Sequence, residues 1–158
     1  RLWTQRNRSM TEWEIRQARR VFGDSINYAK VEIRDGSIEG KLVSVGGYAR
    51  TIGNTIHFPD GGSKHMAFMV HELTHVWQYQ TKGWTYAPRC IWAQVTEGYS
   101  YASEGKSPEE SLKDARAAGK KLTDFNMEQQ GDILSHYYAR LQTGSDVTAW
   151  QPFVNDVR

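Results

Sequence analysis

An α+β fold is expected, in which a small, mostly antiparallel sheet packs on a buried helix and a C-terminal helix closes against it. Three observations predict it. Short β-branched segments broken by glycine turns fill residues 29–59, an apolar helical stretch containing H-E-L-T-H follows at Met66 to Trp77, and a second long helical pattern spans Phe125 to Leu141. With 158 residues, 39% of them hydrophobic, and six tryptophans, the chain suffices for one hydrophobic core and is short for two. Residues 1–158 are therefore read as a single domain.

The first helix is expected over Met10 to Phe22. Thr11 and Glu14 fit a capping box, Trp13, Ile15, Ala18, Val21 and Phe22 recur at helical spacing, and Gly23 is the stop. The basic opening with Arg1, Arg6 and Arg8 reads as a solvated entry segment. Strands are expected at Lys30 to Arg34, Lys41 to Val45, Tyr48 to Ile52 and Asn54 to Phe58, with turns at Asp35-Gly36, Gly46-Gly47 and Gly53-Asn54. Ser63 is the N-cap candidate for the central helix and Gly83 its stop. Trp84 to Tyr101 is ambiguous between helix and ordered loop, and a charged surface helix is expected to begin near Pro108. The last helix is read as capped by Thr123 or Asp124 and ended by Gly144, with Trp150 and Phe153 anchoring the tail.

Charge and hydropathy exclude some function classes. The formal net charge is only +2 with both signs interleaved, which gives no support for nucleic acid as a partner. No run approaches the length of a transmembrane segment, and Cys90, as the only cysteine, allows no intramolecular disulfide. Pro88-Arg89-Cys90 invites comparison with an inhibitory thiolate, but a lone Cys beside Ile and Trp is ordinarily a small core residue.

The chemistry concentrates at the central helix. His71 and His75 are one turn apart on one face, and Glu72 is displaced toward the same opening. Neutral imidazoles suit Zn2+, and a carboxylate beside an open coordination position can take a proton from bound water. Two histidines and a glutamate among Met, Val, Phe and Trp are costly to bury without partners, and a metal would be the partner. A catalytic zinc usually has three protein ligands, so a third must come from elsewhere. Glu128 is the best candidate, since Asp132 one turn later can accept the outer N–H of a ligating imidazole. An acidic first turn favoured by the helix dipole would also explain Glu128.

The Glu128/Asp132 spacing resembles the E-x-x-x-D element of the gluzincins, in which the Glu completes the zinc site and the Asp orients a zinc histidine. More of the chain resembles the zincin-like metallopeptidase toxin domains associated with type VI secretion VgrG spikes and Rhs proteins. The blocks are T-E-W-E-I-R-Q-A-R-R-V-F-G-D-S-I-N-Y-A-K-V, N-T-I-H-F-P, H-E-L-T-H-V-W-Q-Y-Q and D-F-N-M-E-Q-Q-G-D-I. The resemblance implies a zincin-like fold and a secreted antibacterial effector acting in the target-cell periplasm. It also implies an immunity protein and a spike or adaptor as partners, beside a peptide or protein substrate.

The expected reaction is peptide-bond hydrolysis, with zinc on His71, His75 and Glu128 and with Glu72 as general base. His136, two turns beyond Glu128, is a candidate for stabilising the oxyanion, ahead of Tyr138, His57 and His65. The strand Asn54 to Phe58 is expected to offer an edge for an extended substrate. Trp77, Trp84 and Trp92 could instead line a sugar-bearing cleft, which would favour the peptide stems of peptidoglycan. A catalytically silent zinc-binding module docked on a spike is the alternative of a different class.

Overall fold

The computed structural model describes residues 6–36, 49–59, 65–84 and 101–158. In chain order the elements are β1 (Arg6–Ser9), α1 (Glu12–Phe22), β2 (Glu32–Asp35), β3 (Arg50–Ile52), β4 (Thr55–Phe58), α2 (Met66–Lys82), α3 (Pro108–Ala117), α4 (Met127–Gln142) and α5 (Gln151–Asn155). One-turn 3-10 helices at Tyr28–Lys30 and Leu122–Asp124 precede β2 and α4. No helix among the described residues is long and apolar enough to cross a membrane. The strand expected at Lys41 to Val45, the Ser63 cap, Cys90 and Trp92 lie outside the described residues.

α1 starts where its capping residues dictate. The Glu14 amide donates to Thr11 Oγ1 at 3.1 Å and the Thr11 amide to Glu14 Oε1 at 2.8 Å, satisfying two orphan donors reciprocally. Glu14 is buried, and its carboxylate takes both arms of the Arg8 guanidinium at 2.7 and 2.9 Å. That ion pair fastens β1 to α1. The residues read as a solvated entry segment thus supply a strand: Arg6–Ser9 pairs antiparallel with β2.

The sheet order is β1-β2-β4-β3, with β2 and β4 parallel and the outer pairs antiparallel. Two of its three described pairings are antiparallel, as expected, and the sheet is mixed because β4 aligns parallel with β2 while β3 and β4 form a hairpin. This corrects the expected edge. Thr55–Phe58 lies inside the sheet, and among the described residues Arg6–Ser9 and Arg50–Ile52 are the two outer strands.

α2 runs through the middle of the fold, packed chiefly on α4 and in contact with β3, β4 and α1. Met69, Val70, Leu73, Val76 and Trp77 are buried, and each large apolar side chain removed from water contributes about 1.5–3 kcal/mol. Phe68 departs from the expected all-round burial and is 61% exposed. His65, not a serine, is the N-cap, and it makes no side-chain capping bond. Gly83 ends the helix in the left-handed region at φ 70°, where its N–H closes on Gln78 and Tyr79 carbonyls.

α3 begins with Ser107 as N-cap and Pro108 in the first turn, as the sequence indicates. α4 begins two residues later than expected, because Thr123 and Asp124 belong to the preceding 3-10 turn. Asn126 is the cap, in a capping box with Gln129. In the tail, buried Trp150 and Phe153 anchor α5 to the core, where Phe153 meets Phe125 at 5.7 Å between ring centroids.

Candidate metal centre

α2 and α4 bring the predicted residues together across their shared face. His71 Nε2 lies 2.9 Å from Glu128 Oε2, and His75 Nε2 lies 3.0 Å from Glu128 Oε1. The two rings stand nearly edge to face, with centroids 5.2 Å apart. Their other nitrogens are also held: His71 Nδ1 is 3.1 Å from Asp132 Oδ1, and His75 Nδ1 is 2.9 Å from Gln78 Oε1. Both acceptors lack a hydrogen to give, so each Nδ1 carries the proton and each Nε2 presents its lone pair in the neutral ring.

Those lone pairs face a carboxylate, which is repulsive unless a positive charge lies between them. Protons can supply that charge. Burial disfavours the imidazolium, but the Asp132 and Glu128 hydrogen bonds outweigh it and hold His71 well above the usual histidine range. His75 is raised too, against its burial, chiefly by the charge of Glu128. Burial would push the Glu128 carboxyl up, yet the charge of His75 and the bonds to both rings hold it well below the usual range. A divalent cation can replace the protons. The donor set of two imidazoles and one carboxylate, oriented from behind and largely buried, fits zinc.

His71, Glu72 and His75 also offer donor atoms within 4.8 Å of one another. Glu128 is nonetheless the better-placed candidate for a third ligand, because both its oxygens face the imidazole nitrogens while Glu72 Oε2 stands 4.0 Å from His71 Nε2. The other Glu72 oxygen, Oε1, accepts from the buried Thr51 hydroxyl at 2.9 Å. Glu72 is thereby left beside the cluster.

Three supports of the histidine pair went unassigned in the sequence. Gln78, fully buried, orients His75 and donates through Nε2 to the Met127 carbonyl at 3.1 Å and Gln130 Oε1 at 2.9 Å. Gln130 in turn donates to the Phe125 carbonyl at 2.8 Å. These amides join α2 to the start of α4, and their only signal was position, three residues after His75 and two after Glu128. Gly131 is the third. A Cβ there would lie 2.8 Å from His71 Cε1, so the ring rests against bare backbone between Glu128 and Asp132.

The secondary candidates make contacts of their own. His136 lies one turn beyond Asp132, where its Nδ1 and the Tyr101 hydroxyl are hydrogen-bonded at 2.7 Å. Trp150 Nε1 donates to that Tyr101 oxygen at 3.1 Å, so Tyr101 links the tail to α4. Burial lowers the His136 pKa, against the charge of Asp132. Tyr138 bonds Gln17 of α1, and Tyr137 bonds Gln151 beside the tail. His57 is buried in β4, and His65 packs on Phe68 at the start of α2.

Comparison with known proteins places this geometry in a setting. The eCIS core domain family matches residues 14–83, from α1 through the end of the histidine helix. The type VI secretion system spike protein VgrG2b of Pseudomonas aeruginosa is 29% identical over an alignment covering 83% of this chain and 13% of that protein. The chain thus spans about an eighth of the curated relative's length. The solved effector domain of P. aeruginosa VgrG2b matches with a TM-score of 0.64 and 29% identity, covering 92% of this chain and 81% of that one. Over nearly its whole length the chain is similar to the effector domain of a type VI secretion spike protein, and this likeness supports an effector role associated with that system.

Proposed function

We propose that the domain is a zinc-dependent peptidase serving as a type VI secretion effector. The supporting observation is the convergence of His71 Nε2, His75 Nε2 and the Glu128 carboxylate, with Glu72 alongside and each imidazole oriented from behind. Zinc bound there would lower the pKa of a water molecule and polarise the scissile carbonyl. Glu72 Oε2 would serve as the general base, taking a proton from the attacking water and returning it to the leaving amine. Asp132 and Gln78 keep the imidazole Nε2 lone pairs turned inward. His136, one turn beyond Asp132 on α4, is the candidate donor to the developing oxyanion. An extended substrate would lie along β3, which is an outer strand among the described residues and packs beside α2.

The resemblance to VgrG2b supports delivery with a secretion spike or adaptor; action in the target-cell periplasm and an immunity protein as antagonist belong to the same proposal. The deciding experiment incubates the protein with unfolded polypeptide and with purified sacculi, before and after chelation and zinc replacement. Polypeptide cleavage lost on chelation and recovered with zinc is expected. Stem-peptide release from sacculi alone would move the substrate to peptidoglycan. Bound zinc with no hydrolysis of either would leave a zinc-stabilised docking module.

Gly131 supplies a separate check. Alanine is favoured over glycine inside a helix by about 1 kcal/mol, yet its methyl would displace the His71 ring. Gly131→Ala is expected to lower zinc affinity about 10- to 100-fold, by competition with a chromophoric chelator, while the helix content in circular dichroism is kept.

A further inference from the structure

Thr51 occupies a place where packing asks only for a β-branched side chain. It is the middle residue of β3, opposite Ile56, and is 2% exposed, facing inward while Ile52 beside it is 48% exposed. Valine has nearly the same shape and would fill the space without burying a hydroxyl. A buried hydroxyl is unfavourable unless its hydrogen bond is made. The one Thr51 makes is to Glu72: Oγ1 lies 2.9 Å from Oε1 and, as a longer second contact, 3.3 Å from the backbone carbonyl.

This bond distinguishes the two oxygens of Glu72. With Oε1 tied to β3, Oε2 is directed at the cluster, 4.0 Å from His71 Nε2. We propose that Thr51 is a positioning residue for Glu72, its hydroxyl fixing one carboxylate oxygen so that the other faces the histidine pair and the reacting water. The inference rests on the reading of Glu72 as proton acceptor given under Proposed function. Glutamate has three side-chain torsions, and an unanchored carboxylate would spend much of its time out of reach of the water. The anchor comes from the strand along which the substrate is placed, so the base and the peptide share one support.

The test compares Thr51→Val and Thr51→Ser in steady-state hydrolysis and in crystal structures of the metal-free variants. Thr51→Val is expected to lower kcat about 10- to 100-fold, the worth of one hydrogen bond to a charged group, with KM within about twofold. Thr51→Ser, which keeps the hydroxyl, is expected to recover most of the loss. In the crystals the Glu72 carboxylate leaves its place in the valine variant and keeps it in the serine variant. An unmoved carboxylate with kcat within about twofold of the parent would overturn the proposal. A serine variant as impaired as the valine one would also overturn it, since the methyl and not the hydroxyl would then matter. If the parent itself hydrolysed nothing, the peptidase reading would fall, and the Glu72 conformations alone would still decide the role of Thr51.

Discussion

Replacing Glu72 with Gln is expected to lower kcat by about 10²- to 10⁴-fold, the usual worth of a positioned general base, with zinc content unchanged. The substitution is nearly isosteric, and the amide oxygen can still accept from Thr51 Oγ1, so the side chain keeps its anchor. What it loses is the capacity to take a proton. Because Glu72 stands 4.0 Å from the nearest imidazole nitrogen instead of on the axis of the two histidines, its loss leaves the proposed ligands in place. Metal analysis and single-turnover hydrolysis on the same preparation separate the two effects. A variant that turned over like the parent would remove Glu72 from the chemistry.

The second large effect is expected at Glu128. Its carboxylate meets both Nε2 atoms, at 2.9 and 3.0 Å, so Glu128→Ala removes the one carboxylate in contact with both lone-pair donors. Zinc affinity is expected to fall by more than the roughly 10- to 100-fold typical of losing a group behind a ligand. Asp132→Ala supplies that milder reference, since Asp132 contacts His71 only through Nδ1. Competition titrations of the two variants should rank Glu128→Ala as the weaker binder. The reverse order would make Glu128 a structural partner of the histidines and reopen the search for the third ligand.

The parts of this molecule legible in the sequence are those set by local spacing. Thr11 and Glu14 announce the start of α1 because a capping box lies within four residues, and the observed bonds form there. His71 with His75, and Glu128 with Asp132, are each separated by one helical turn, so helical geometry alone gave them common faces. The sequence could not show that the two faces meet, which depends on α2 packing against α4.

What escaped the sequence depends on distant partners. Arg6–Ser9 has no apolar alternation, and its strand character comes from pairing with β2 and from the Arg8–Glu14 ion pair. The parallel alignment of β4 with β2 joins segments more than twenty positions apart and moves the expected edge strand inside the sheet. Gln78 and Gln130 look like surface amides in a sequence, and burial against one another makes them supports of the site. Thr51 reads as a strand residue, and only its distance to Glu72 reveals the use of its hydroxyl.

The most direct measurement is a crystal structure of the zinc-loaded protein with anomalous scattering recorded on both sides of the zinc absorption edge. One strong peak is expected at about 2.0–2.2 Å from His71 Nε2, His75 Nε2 and a Glu128 carboxylate oxygen, with Glu72 outside bonding range. The same experiment contradicts the account if saturating zinc leaves no peak between the two helices, or if the peak there excludes Glu128.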